Sequence, residues 1–214
     1  MTQERTRIKI CGLKDPNHAR LAAETGADAI GLVFYGPSPR FVEVSLARAL
    51  VDALPPYVSA VGLFVNAPER EVRDVLGAVR LDLLQFQGDE PTTFCESFRL
   101  PFVRAVRMEA GTDLVEWAGR FAHAKALLLD AHVPGTPGGT GRTFDWAAIP
   151  RDLPIAIILS GGLTPDNVGE AIRTVRPWAV DVSSGVERAR GEKDPRLIVD
   201  FIRSVRSEDA GSSR

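Results

Sequence analysis

The residues that could do chemistry stand at the ends of short apolar runs. Cys11 closes Arg7-Ile8-Lys9-Ile10-Cys11 and is followed by Gly12. A free cysteine there is either a small buried hydrophobe or a working thiol. Asp130 closes Ala126-Leu127-Leu128-Leu129. A carboxylate after so apolar a run must reach a polar cavity, pair with a cation or carry a raised pKa, unless it caps a helix immediately after it. The chain continues instead into a glycine-rich stretch from His132 to Gly141, which reads as a mobile cover over a site. Arg40, in Ser38-Pro39-Arg40-Phe41, offers a fork suited to a planar carboxylate, or is a solvated surface charge.

Two glycine-rich turns add a second kind of chemistry. One is Leu159-Ser160-Gly161-Gly162-Leu163 and the other Asp181-Val182-Ser183-Ser184-Gly185-Val186. Glycines let backbone amides approach a ligand, and such amides hold phosphate. Each turn alone could be a tight turn without a ligand; paired, they favour phosphate. No His/Asp/Glu group shows metal-ligand spacing: His18 and His123 fall in predicted helices and His132 stands alone in a loop. No strand-end lysine has a convincing Schiff-base setting. Acid–base chemistry without metal or cofactor is what these residue types leave.

The elements that must position them are set by periodicity. Continuous apolar, β-branched runs recur at Arg7–Cys11, Ala29–Phe34, Val58–Phe64, Leu81–Phe86, Phe102–Val106, Ala126–Leu129, Ile155–Leu159 and Ala179–Val182. Hydrophobicity without alternation predicts strands buried on both faces, as in a parallel sheet. Amphipathic stretches lie between them; Val72, Val75, Leu76 and Val79 share one stripe of a predicted helix over 69–79. Helix starts are predicted at Asp15-Pro16, Ala67-Pro68, Glu90-Pro91, Thr164-Pro165 and Asp194-Pro195, with stops at Gly26 and Gly77. Cys95, beside Phe94 and Phe98, is expected in the core. Eight strands alternating with helices predict an α/β fold, a single (β/α)8 barrel of eight parallel strands over residues 1–206, followed by a polar, frayed tail over 207–214. In that architecture working residues sit at the carboxyl ends of the strands, and phosphate sites sit in loops seven and eight.

Composition excludes several partners. With 26 basic and 28 acidic side chains the net charge is −2, so no basic face invites nucleic acid. No apolar run reaches the ~18 residues of a membrane span, and the opening MTQERTRIKI lacks the apolar core of a signal peptide. Two cysteines give no disulfide framework. A cytoplasmic protein, monomer or homodimer, with a small-molecule ligand is expected.

Taken together, these segments resemble the phosphoribosylanthranilate isomerase family. The resemblance runs through Lys9-Ile10-Cys11-Gly12-Leu13, Gly26-Ala27-Asp28 to Ser38-Pro39-Arg40, Val61-Gly62-Leu63-Phe64-Val65-Asn66 and Leu83-Leu84-Gln85-Phe86-Gln87-Gly88-Asp89-Glu90. It continues through Leu128-Leu129-Asp130, Gly138-Gly139-Thr140-Gly141 with Phe144-Asp145-Trp146, and the two glycine turns, in order over nearly the whole chain. It implies an Amadori rearrangement of a phosphosugar, N-(5-phosphoribosyl)anthranilate, in tryptophan biosynthesis. It also implies Asp130 as general acid and Cys11 as general base, with Arg40 on the anthranilate carboxylate. Gly161, Gly162, Ser183, Ser184 and Gly185 would hold the phosphate, and Asp181 would orient the sugar or a loop. Lys14 is the candidate cation for lowering the thiol pKa. One departure is visible: family members usually carry histidine where this chain has Gln87, which hydrogen-bonds but does not titrate, and Gln87 is read as a tuned lining. The nearest rival, the histidine-pathway aminoimidazole carboxamide ribotide isomerase, is expected to place an aspartate where Cys11 stands. A non-catalytic phosphosugar binder would be expected to have lost Cys11 or Asp130, and a barrel epimerase would need metal ligands.

Overall fold

The eight apolar runs become eight strands that close on themselves. A computed structural model describes residues 5–131 and 145–212. It shows β1 (Arg7–Cys11), β2 (Ala29–Val33), β3 (Ser59–Phe64), β4 (Leu83–Phe86), β5 (Phe102–Met108), β6 (Ala126–Ala131), β7 (Ala156–Leu159) and β8 (Ala179–Val182). All pair in parallel in sequence order, and β8 returns to β1 to close the barrel, with Lys9 opposite Asp181. The runs are largely apolar on both faces because one face fills the barrel and the other meets the helices.

Around the barrel stand α1 (Pro16–Thr25), α2 (Val44–Asp52), α3 (Glu69–Ala78), α4 (Thr92–Glu96), α5 (Leu114–Arg120), α6 (Val168–Val175) and α7 (Pro195–Ser212). Asp15 caps α1 by accepting from the Asn17 amide at 2.8 Å, and Gly26, at φ 118, ends it in the left-handed conformation. Between β6 and β7 the described residues include a 3-10 turn, Trp146–Ala148. A hairpin of β9 (Glu187–Ala189) and β10 (Glu192–Lys193) comes after β8. His132 and the glycine-rich stretch expected to cover the site lie outside the described residues.

Four local expectations need correction. Gly77 does not stop α3; it sits one residue inside the helix, without positive φ, and the chain turns extended at Val79. The Thr164-Pro165 start is three residues early. Asn167 accepts from the Thr164 amide at 2.8 Å and donates to the Gly162 carbonyl at 2.9 Å, making a turn before α6 begins at Val168. His123 lies in a turn after α5 and contacts Glu96 at 2.8 Å. The polar segment from Ser207 continues as helix to Ser212, because Asp209 accepts hydrogen bonds from the Thr6 amide (2.9 Å) and hydroxyl (2.8 Å).

Two main apolar layers result, beside a small cluster of Cys11, Val33 and Leu63. The larger lies between barrel and helices and includes Phe64, Phe86, Phe121 and Phe201, and also Cys95, as expected. The smaller fills the amino-terminal part of the barrel with Val103, Ala105, Ala126, Leu128, Ile158 and Ala179. Above it the interior turns polar: Lys9, Gln85, Asp130, Ser160 and Asp181 are all buried. Burying so many polar groups is costly unless they satisfy one another, so this layer marks where the fold serves something other than packing. No described helix is long and apolar enough to cross a membrane.

Candidate active site

Side chains two residues apart on a strand share a face. That rule puts Lys9 with Cys11, Gln85 with Gln87, and Asp181 with Ser183 on the inward faces of β1, β4 and β8 and their ends. A pocket opens at the carboxyl ends of the strands. Among the expected residues Cys11, Arg40, Asp130, Asp181, Gly161, Gly162, Ser183 and Ser184 line it. Gly185 does not. It packs on the Leu163 carbonyl, where any side chain would collide, and so locks loop eight onto loop seven. Gly161 and Gly162 take left-handed φ of 79° and 69°, and a Cβ on Gly161 would strike the Ala131 backbone.

Cys11 lies opposite Gly31 of β2. A Cβ on Gly31 would fall 2.7 Å from Cys11 Sγ and 2.9 Å from Lys9 Nζ, so the absence of a side chain there lets thiol and ammonium meet. Lys9 Nζ donates to Asp181 Oδ1 at 2.9 Å, with both side chains buried. Burial pushes the thiol up; Lys9 and Lys193 pull it down, while Asp181 adds to the rise, and the net direction is upward. Burial also works to lower Lys9, but Asp181 and Cys11 outweigh it and hold the ammonium up at about 12. The cation beside the thiol is therefore Lys9. Lys14, expected in that place, is turned outward and donates to the Pro39 carbonyl at 2.8 Å.

Asp130 is buried at the end of β6. Desolvation, then the like charge of Asp181, pushes its carboxyl up to about 6; the Gln87 hydrogen bond, the Ala131 amide and Lys9 oppose this. Gln87 Nε2 donates to Asp130 Oδ2 at 2.8 Å, and Gln87 Oε1 accepts from Gln85 Nε2 at 2.7 Å.

Arg40 is committed on one edge. Its Nε and Nη2 donate to Glu187 at 2.7 and 2.8 Å, and Glu187 also accepts from Lys193 (2.7 Å) and the Gly191 amide (3.0 Å). Burial works to raise Glu187, but Arg40 and Lys193 prevail and hold it down at about 2. The β9–β10 hairpin thus fixes Arg40 from behind. A ligand carboxylate would meet the Nη1/Nη2 edge of the guanidinium.

Several residues in the pocket wall or buried against it escaped the sequence reading. Lys9 and Gln85 carry a visible signal, since each is a polar residue inside an otherwise apolar strand. Arg107, next to last on β5 and opposite Asp130, lines the pocket, a cation near a strand end that position alone could have flagged. Arg190, in the hairpin turn, also lines it and has no such signal.

Fold and mouth together define a (β/α)8-barrel enzyme whose pocket is equipped for proton transfer. Comparison with known proteins narrows the class. The sequence pattern of N-(5'-phosphoribosyl)anthranilate (PRA) isomerase matches residues 8–204. The isomerase of Pseudomonas aeruginosa (strain UCBPP-PA14) is 53% identical over 201 residues, 94% of this chain and 95% of that protein. That of Thiobacillus denitrificans is 54% identical over 201 residues, 94% and 98% of the two chains. The crystal structure of the Thermotoga maritima isomerase superposes with a TM-score of 0.87 at 41% identity, covering 94% of this chain and 99% of that one. An isomerase in complex with reduced 1-(o-carboxyphenylamino)-1-deoxyribulose 5-phosphate gives 0.83 at 39% identity, with the same coverage. The chain belongs to the N-(5'-phosphoribosyl)anthranilate isomerase family.

Proposed function

We propose that the chain performs the isomerisation of its family with Asp130 as general acid and Cys11 as general base. The substrate class is a phosphosugar carrying anthranilate on C1. Asp130 gives its proton to the ring oxygen as the C1–O bond breaks and the nitrogen lone pair forms an iminium. Cys11 thiolate then takes the C2 proton. The C2–H electrons form a C1–C2 double bond and return the iminium pair to nitrogen, giving an enolamine that tautomerises to the ketone. Substrate and product are isomers, so proton transfers alone account for the change.

The observation that carries the reading is the shared pocket of a thiol beside Lys9 and a carboxyl raised to about 6. An acid with that value keeps a protonated fraction near neutrality, while an ordinary aspartate at ~3.9 would not. Lys9 supplies the cation that a thiolate requires, and Asp181 holds Lys9 in place. The thiol remains raised by burial, so the working form, protonated Asp130 with ionised Cys11, is a minor species. Its population is flat between the two macroscopic pKa values and falls tenfold per unit outside them. The free edge of Arg40 suits the anthranilate carboxylate, and the amides of Gly161, Gly162 and Ser184, with the Ser183 side chain nearby, suit the phosphate, while Gly185 holds loop eight in place. Every side chain in this scheme comes from one chain, so it sets no requirement on oligomeric state, and a cytoplasmic setting suits its free thiol.

The test is turnover of freshly made phosphoribosylanthranilate, followed by loss of anthranilate fluorescence without added metal or cofactor. Asp130→Asn and Cys11→Ser are each expected to lose at least ~100-fold in kcat while binding substrate analogue normally. Near-normal turnover in either variant removes that residue from its role.

A further inference from the structure

We propose that Gln85 and Gln87 are positioning residues for the acid, an oriented pair of amides that holds Asp130 by one oxygen and supports its ionised form during turnover. The proposal rests on Asp130 being the acid, and its test separates the two ideas.

An amide has a donor end and an acceptor end, and its partners decide which faces where. Gln87 presents its donor to Asp130 Oδ2 at 2.8 Å because its acceptor end is already engaged by Gln85 Nε2 at 2.7 Å. Turning Gln87 alone would set its Oε1 against the carboxylate and its Nε2 against another donor. Turning Gln85 alone would face two acceptors. Only a joint reversal is coherent, and it would put an acceptor toward Asp130, which suits the protonated acid. The pair therefore has one arrangement for each protonation state of Asp130. Gln85 is 1% exposed, and its Oε1 has no hydrogen-bond partner among the described residues. The side-chain hydrogen bond that orients Gln85 among the described residues is therefore the one to Gln87.

The backbone around Gln87 is held equally firmly. Arg104, buried on β5, donates from Nη1 to the Phe86 carbonyl (3.2 Å) and from Nη2 to the Gly88 carbonyl (2.5 Å), the two that flank Gln87. The same guanidinium pairs with Glu90 at 2.7 Å, and Glu90 accepts from the Asn66 amide at 2.7 Å. The Gln87 amide itself donates to Phe64 O at 2.9 Å. So much fixing of one short loop exceeds what a lining residue needs.

Unlike an imidazole, neither glutamine titrates, so the pair exchanges no proton with Asp130, and in the observed arrangement it acts by donation. Among the described residues the charged and titratable groups around Asp130 are Asp181 of β8, Lys9 and Cys11 of β1, and Tyr35, Arg107, Arg40 and Arg190 lining the same pocket. Substituting the glutamines leaves all of them in place.

The experiment is a carbon-13 NMR titration of the side-chain carboxyls in aspartate-labelled protein, with the Asp130 signal identified by its loss in Asp130→Asn. Gln87→Leu is expected to move the Asp130 midpoint up by about one unit, because a donor to the carboxylate is gone. The low-pH limb of kcat/KM should shift in step. Gln85→Met is expected to give a smaller shift in the same direction, since Gln87 loses its fixed orientation. Gln87→His, which restores a donor, should bring the midpoint back toward that of the parent. Midpoints unchanged in Gln87→Leu and Gln85→Met overturn the proposal. Should Gln85→Met fail to fold, Gln87→Leu at the pocket wall decides alone. Because the midpoint is read without turnover, an active Asp130→Asn would sink the acid assignment and leave this result standing.

Discussion

Burial and the neighbouring Asp181 raise the Asp130 carboxyl to about 6, and the same shift bears on stability. An acid whose folded pKa lies above its unfolded one is favoured in the fold while protonated. The fold therefore loses stability as pH rises from about 4 through about 6, and the loss is complete above that. Some two units correspond to ~2 to ~3 kcal/mol. Asp130→Asn removes the buried charge, and its amide oxygen can still accept from Gln87. The variant is expected to melt roughly 5 to 10 °C above the parent at pH 8, with the gap closing by pH 4. Paired melting curves across that range check this, and a gap that ignores pH would show that the carboxylate costs the fold nothing. A gap that closes toward pH 4 marks the active site as a place where stability is given up to keep an acid protonated near neutrality, as expected of a functional carboxyl in an apolar setting.

At the scale of elements, the pairing of β1 with β2 brings Gly31 opposite Cys11 and leaves room for Lys9 Nζ beside the thiol. Gly31→Ala would place a methyl within 3 Å of both Sγ and Nζ and force them apart. Turnover is expected to fall at least ~100-fold with the barrel intact by circular dichroism, because small displacements of catalytic groups cost that much. Normal kcat/KM in a folded Gly31→Ala would show that the thiol does not need its lysine. The strand itself was legible from sequence: Arg7–Cys11 keeps the bounds its apolar run predicts, and so does Ala179–Val182. Cys11 and Asp130 were legible as strand-end residues for the same reason. Lys9 was visible only as a polar residue within its strand; its role was not legible, since it comes from Asp181, 172 residues away across the barrel seam. The same holds for Gln85, whose role depends on which way an amide is turned. Where boundaries slipped, a long-range partner or a local side-chain turn had overridden propensity, as Asp209 extends α7 and Asn167 delays α6.

For the whole molecule, closing the barrel is a problem of joining its two ends. β1 and β8 pair along four positions, and α7 is strapped across the seam. Asp209 accepts from both the amide and the hydroxyl of Thr6, while Arg206 donates to the Thr6 carbonyl at 3.0 Å and the Gly26 carbonyl at 2.7 Å. Thr6 is 3% exposed, so its amide has no ready water to replace the carboxylate. Asp209→Ala is expected to cost ~1 to ~3 kcal/mol by leaving that donor unpaired, which for a chain of this size lowers Tm by roughly 2 to 12 °C. The strap sits at the amino-terminal end of β1, at the opposite end of the strand from Cys11. At 25 °C, kcat/KM should therefore stay within about twofold of the parent while the melting temperature drops, because sites with no shared partners contribute independently. Thermal melts and initial rates on the same preparation separate the two quantities. A variant that lost activity without losing Tm would mean that closure of the barrel seam is transmitted to the geometry around Cys11, through the same Lys9–Asp181 pair that spans it.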